Sequence, residues 1–272
     1  NAIDAHIDKC IKENCKKENC QYQSHIGKHE FKNAFNSKKF KSILNNYKYA
    51  KFILLDQYGF SQVDESIFQE LVNSPKTDFI FFIATSFIDR FREHPNTKKY
   101  IDTSRIDFEK SKPKERHKLI ANYFKDLINV EEYYLHHFTI KKGANHYGLI
   151  FGSSHSLGME KFLKVCWRKD ELSGESNDNS YDDYTKDTLF YNPESSNKKE
   201  KVKRKIRAKV LAGEITDNIS GFKFTLSELC MPVLFTQVIK KLEKEGLIKR
   251  TGNLNYQSVN IHDCKKYYIK TL

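Results

Sequence analysis

The chain has 272 residues, 39% of them apolar and 13% aromatic, enough to build a packed core and to exclude global disorder. Its formal charge of +12 favours a polyanionic partner, and no apolar run reaches the roughly 18 residues that a membrane helix needs. The opening NAIDAHIDKC is polar and has neither a signal-peptide core nor an initiator Met. The expectation is a cytoplasmic chain that begins inside a longer gene product.

In chain order, residues 2–16 suit a helix, CQYQSHIG a short strand, and the following segment a helix carrying Phe31, Phe35, Phe40, Ile43, Leu44 and Tyr47. Cys10, Cys15 and Cys20 recur every five residues, a step of about 140° on a helix, so their thiols fan out rather than converge. Zinc sites use close cysteine pairs with partners elsewhere, so a small duplication in a reducing cytoplasm is expected instead of a metal site.

KFILL and TDFIFFIATS are continuous apolar runs of the kind that parallel sheets bury on both faces. DESIFQELVNSP between them makes a helix that presents Ile67, Phe68 and Leu71 inward and stops before Pro75. The β-α-β spacing predicts a parallel pair. FIDRFREH follows, then a Lys-rich passage to Arg116 that reads as an insertion or mobile loop. HKLIANYFKDLINV is an amphipathic helix, LHHFTIKKGANHYGLIFGSS a hairpin turning at Gly143, and GMEKFLKVCW a helix with Trp167 in the core.

These elements imply an α/β domain over 1–170, a polar linker over 171–198 and a winged helix-turn-helix over 199–272. The last comprises a basic helix, the short helix TLSELC, a third helix PVLFTQVIKKLEKEG, and a ribbon of LIKR with SVNIH. Pro232 fits its first turn and Gly246 its end. Val233, Val238, Ile239, Leu242 and Leu247 form its core stripe. Gln237, Lys240, Lys241 and Lys244 lie on the opposite face, with Lys249 and Arg250 on the ribbon, as nucleic-acid contacts. From 197 to 272 there are 17 Lys or Arg against 7 Asp or Glu, so ten of the twelve excess charges sit here. Nucleic acid, DNA above all, is the expected partner; docking on another protein is the other reading.

At the carboxyl end of KFILL stand Asp56, Gln57 and Tyr58, where open α/β sheets bind ligands. An acid and an amide beside an aromatic ring suit a planar base with an amino group. In that setting Asp56, Gln57 and Tyr58 are the candidate catalytic residues, with Phe60, Arg90, Ser154 and His155 as substrate contacts. The other reading has Asp56 capping a turn and Tyr58 packing. His136 and His137 alternate across a strand and do not share a metal, Ser156 is expected to cap the helix that follows, and Asp89 with Arg90 suits a surface ion pair. No carboxylate cluster of a hydrolytic nuclease is present.

FILLDQYGFSQVD, FIFFIATSFIDRF and HYGLIFGSSHSLGMEKFLKVCW resemble, in order and spacing, the three-Cys-motif partner (TcmP) family, from Lys51 to Trp167. The resemblance rests most on Leu55, Asp56, Gln57, Tyr58, Gly59 and Val63. It implies an incomplete class I methyltransferase-like (Rossmann-type) sheet with a winged helix behind it. It also implies a bacterial or phage mobile-element or defence setting, a partner protein and S-adenosylmethionine as cofactor. The family takes its name from cysteines in the partner, so Cys10, Cys15 and Cys20 gain nothing from it. In that scheme KFILL and DFIFFIA are the fourth and fifth strands and the hairpin the sixth and seventh, while QYQSHIG is the third. Strands one and two would then precede this chain, and with them the Gly-rich cofactor loop, which the chain lacks. A non-catalytic adaptor is the alternative.

Overall fold

The computed structural model describes residues 30–56, 62–109, 111, 115–143, 145–178, 198–252, 261 and 265–272. It divides the chain into two compact units, residues 1–42 and 43–272. The opening helix and the strand CQYQSHIG fall outside the described residues. In the first unit, α1 (Phe31–Phe35) and the start of α2 (Lys38–Leu44) gather the phenylalanines that helical spacing groups together. Phe35 lies 5.7 Å from Phe31 and 5.1 Å from Phe40 between ring centres, with the Lys41 ammonium 4.4 Å from its own ring centre.

The second unit is built on a mixed sheet. β1 (Lys51–Leu55) and β2 (Thr77–Ile83) run parallel, joined through α3 (Glu65–Asn73). The Asp64 carboxylate caps α3 by accepting from the Ile67 N–H at 3.1 Å, which fixes where the helix begins. β3 (Tyr134–Lys142) and β4 (Asn145–Ser153) form the expected hairpin. Gly143 turns it at φ +62°, backbone that a side chain would strain. The strand order is β1-β2-β4-β3, so β4 runs antiparallel to both neighbours and β3 keeps the sense of β1 and β2. The protein is therefore mixed α/β with a mixed parallel and antiparallel sheet.

One face of β2 buries Phe79, Phe81 and Ile83 against α3 and α6 (Arg116–Asp126), where Phe124 lies 4.8 Å from Phe68 and 5.3 Å from Phe81. Between β2 and α6 come the short helices α4 (Thr85–Arg90) and α5 (Pro95–Lys98). The passage read as an insertion or mobile loop instead packs: Ile101, Ile106 and Phe108 are buried, because its few apolar residues all turn inward.

The opposite face carries α7 (Ser156–Lys169), and through it the C-terminal elements α8 (Lys198–Leu211), α9 (Asn218–Ser227), α10 (Val233–Lys244), β5 (Ile248–Arg250) and β6 (Ile269–Thr271). A single buried cluster runs from Tyr134 and Phe151 on the sheet through Leu163 and Trp167 to Ile206, Phe222, Phe235, Leu242 and Ile269. Trp167 is core as expected, and its indole N–H donates to the Leu229 carbonyl at 3.1 Å.

α9 begins seven residues before TLSELC, because Asp217 accepts from the Ser220 N–H at 2.9 Å and starts the helix there. The ribbon pairs β5 with β6, and SVNIH, apart from buried Ile261, lies outside the described residues. Residues 216–218 add a third rung: the Ile269 N–H donates to the Thr216 carbonyl at 2.8 Å, and the Asn218 N–H to that of Tyr267 at 3.1 Å. α10 closes on Gly246 at φ +73°, with the Leu247 N–H reaching the Leu242 carbonyl and the Gly246 N–H that of Glu243. The polar composition of 171–178 does not make it a free linker. The Asp170 carboxylate accepts from the N–H groups of Leu172, Ser173, Glu175 and Ser176, folding this segment onto β3.

Candidate functional site

α10 buries Leu234, Phe235, Val238, Ile239 and Leu242, and that choice fixes what its other side shows. Gln237, Lys240, Lys241 and Lys244 are all exposed, and at 100° per residue they fall within one arc of about 100°. Val233 continues the stripe toward the helix start. It is 46% exposed rather than core, because its step from Gln237 places it on the polar side. Leu247, also expected in the core, is 37% exposed beyond the helix end.

The acids near these lysines are already engaged. Glu243 holds the Arg250 guanidinium Nε at 2.9–3.0 Å, and Glu245 holds Arg207 at 2.5 Å. Lys240, Lys241, Lys244 and Lys249 have no ion pair among the described residues. Arg250 departs from the sequence reading: Glu243 and the Gly252 carbonyl occupy it, so it braces the ribbon against α10. Lys270 is a residue that sequence reasoning missed. It stands directly across the ribbon from Lys249, both exposed, and like charges in that register repel. Finding it needs the true second strand, which its three-residue length conceals.

α8 is richer in Lys and Arg than α10, yet most of that charge is matched. Lys198 reaches Glu175 at 2.7 Å, Lys203 reaches Glu200 at 2.6 Å, Lys205 reaches Glu228 at 2.7 Å, and Lys209 pairs with Glu214. The net charge of the C-terminal part is thus displayed chiefly by α10 and the ribbon. Side chains of this kind contact phosphates, and Gln237 is equipped to read a base edge.

At the sheet, Asp56 directly follows β1 and is exposed; Gln57, Tyr58 and Phe60 lie outside the described residues. Arg90 ends α4, which leaves the same sheet edge after β2, and lines an open cavity of about 780 Å³ with Asp89, Arg92 and Arg116. Asp89 pairs with Arg116 at 2.6 Å and Arg92 at 3.7 Å rather than with Arg90. Ser154 and His155 are not brought to Asp56. They follow Ser153, which pairs with Asp78 at the start of β2, because β4 runs antiparallel. Four strand steps, about 13 Å, separate that edge from the one at Asp56. The cap of α7 is His155, whose Nδ1 accepts from the Leu157 N–H at 3.1 Å, and not Ser156, whose buried hydroxyl has no hydrogen-bond partner.

Beneath α6 and along β3 lies a second set of ionisable groups. His117 sits between the hydroxyls of Thr85 (2.6 Å) and Thr139 (3.1 Å), and burial pushes its pKa down to about 3. His137 is lowered to about 4 by burial, so at neutral pH its 3.8 Å contact with Glu175 is not an ion pair. Burial opposes ionisation of Glu175, but Lys198 and Lys118 hold its carboxyl down at about 2. His136 points to the other face, with Nε2 donating to the Gly174 carbonyl at 3.1 Å. Burial raises the thiols of Cys166 and Cys230, to about 12 and about 11. Among the described residues no three His, Cys, Asp or Glu side chains gather as metal ligands, and no helix is long and apolar enough to cross a membrane.

No protein-family model, no curated protein and no solved structure gives a match to this chain.

Proposed function

We propose that the chain binds nucleic acid, duplex DNA first, through the exposed stripe of α10 and the ribbon that follows it. The observation that carries this is selective neutralisation: acids engage Arg250 and, on α8, Lys198, Lys203, Lys205, Arg207 and Lys209, while Lys240, Lys241, Lys244, Lys249 and Lys270 are left unmatched on adjoining elements. The succession of α8, the rung at 216–218, α9, α10 and a ribbon supports the winged helix-turn-helix reading, in which α10 enters the major groove. The expected experiment is duplex titration by fluorescence anisotropy at several salt concentrations. Affinity should fall steeply with salt, by about 0.9 log units per log unit for each phosphate contacted. A flat response would leave protein docking as the use of this surface.

For the α/β part, two parallel strands followed by an inserted antiparallel hairpin support the methyltransferase-like reading, and the TcmP family reading rests on the sequence resemblance alone. On that reading the protein works with a partner in a bacterial or phage setting, and Asp56 stands at the edge where a base would enter. The residues present do not make an S-adenosylmethionine site: no Gly-rich loop occurs in the chain, and no step is assigned to the cofactor. In that scheme the loop belongs to the strands expected before this chain; the second reading is a DNA-binding adaptor whose sheet is a scaffold. Calorimetric titration with S-adenosylmethionine to about millimolar concentration separates the two, since saturable heat requires a donor site and its absence supports the adaptor.

A further inference from the structure

The face of the sheet that α7 covers over β4 is, among the described residues, open over β1. Phe52 and Leu54 on that face are 62% and 58% exposed, beside their β2 neighbours Asp78 and Ile80. Here a groove of about 740 Å³ runs between β1 and the first turns of α7, a volume suited to a small ligand. Its wall is aromatic, with Phe151 and Phe162 stacked 4.4 Å apart at 10° and Phe52 facing solvent.

Its floor is polar. Asp78 sits there near Ser153, whose hydroxyl donates to the His155 carbonyl at 2.9 Å, and burial raises the Asp78 carboxyl above the ordinary range. The space over Asp78 is kept by a missing side chain: a Cβ on Gly158 would fall 2.7 Å from the carboxylate and 2.5 Å from the Ser153 hydroxyl. With the Ser153 proton directed to the His155 carbonyl, Asp78 has spare acceptor capacity, which suits a donor carried by a ligand. An acyl chain would leave that capacity unmet.

Its rim is cationic. Lys51, Lys76 and Lys161 border the groove and have no ion pair among the described residues; one Lys51 ammonium proton is given to the Asn46 carbonyl at 2.9 Å. Partial desolvation and the nearness of Lys76 lower the pKa of Lys51, so these two ammonium groups repel, and an anion between them relieves the repulsion.

We propose that this groove binds a nucleotide: a planar base with an exocyclic amine placed against the aromatic wall and Asp78, and its phosphate held by Lys51, Lys76 and Lys161. The site lies at the edge of the sheet opposite Asp56 and is independent of α10.

The test is calorimetric titration of the full chain with AMP and CMP, beside adenosine, IMP, inorganic phosphate and octanoate. AMP or CMP should saturate, adenosine and phosphate should each bind at least about tenfold more weakly, and IMP, which lacks the amine, should bind more weakly than AMP. Lys76→Glu and Lys161→Glu should each weaken binding about tenfold with an unchanged urea midpoint, and Asp78→Asn should erase the preference for AMP over IMP. Lys240→Glu should leave nucleotide affinity unchanged, so loss of this site and loss of the α10 surface are told apart. The proposal is overturned by no saturable heat from AMP or CMP at about 10 mM. It is equally overturned if phosphate binds as well as AMP, if octanoate binds in its place, or if the lysine variants bind normally. A concentration-dependent dimer abolished by Phe52→Ala would also overturn it, showing a second copy to be the occupant.

Discussion

Two regions of the molecule carry much of its ionisable chemistry and manage it in opposite ways. Along β3, His117, His136, His137 and Glu175 are enclosed by α6, the fold-back at 171–178 and the start of α8; the histidines stay neutral and the carboxylate is matched by Lys198. Along α10 and its ribbon, five lysines stand in solvent with no ion pair among the described residues, the nearby Glu243 and Glu245 being engaged by Arg250 and Arg207. The first arrangement is what stability asks of buried polar groups. The second gains nothing for the isolated fold, and Lys249 facing Lys270 works against it. Charge that the fold has not used internally is the better guide to function than the total of +12.

The contrast can be broken or sharpened by experiment, starting with acid. The unfolded chain takes up protons on these histidines near 6.5, whereas the folded chain resists until about 4 for His137 and about 3 for His117. Stability should therefore be full above about pH 6.5 and fall as pH drops toward 4, at up to roughly 3 kcal/mol per unit for the two groups together. Urea unfolding at pH 7, 6 and 5 reads this directly, and a flat profile would refute the buried cluster. Next in size, reversing Lys240, Lys241 and Lys244 to Glu should weaken duplex binding at least about hundredfold with the urea midpoint little changed.

Smaller effects separate the ribbon and α8. Lys270→Ala should weaken duplex binding by about threefold to tenfold while raising stability by a few tenths of a kcal/mol, a pairing of signs that a merely structural lysine would not give. Gly246→Ala, which forces a side chain onto φ +73°, should cost about 1 kcal/mol in unfolding free energy. Lys203→Glu on α8 should change duplex affinity by less than about threefold and stability by no more than about 0.5 kcal/mol. An α8 variant as damaging to binding as the α10 triple would end the distinction between the two helices.

Much of the sheet is legible in the sequence because its strands are short apolar runs between strong punctuation. KFILL, TDFIFF and the hairpin at Gly143 are strands where their patterns put them. KFILL is not buried on both faces as expected, however: β1 is an edge strand of the four, and Phe52 and Leu54 stand exposed. The exposed face of α10 is equally legible, since periodicity sorts Leu234 and Phe235 from Lys240 and Lys241. What stays hidden depends on partners distant in the chain. Arg250 looks free until Glu243 is found beside it, and a three-residue strand such as β6 has too little pattern to stand out. The distance of Ser154 and His155 from Asp56 is hidden because chain order does not reveal which end of an antiparallel strand meets which edge. Asp78, an acid opening an otherwise apolar run, carried a signal for the groove that a reading of the whole run as buried passes over.

The uninterrupted core from Phe151 through Trp167 to Phe235 has a mechanical consequence. With no soft joint between sheet and α10 along that path, a duplex gripped by the helix would meet the sheet at one bearing. The reach from grip to sheet edge is then set by side-chain packing rather than by a tether, so loosening Trp167 should blur where on the duplex anything else happens before it weakens the grip.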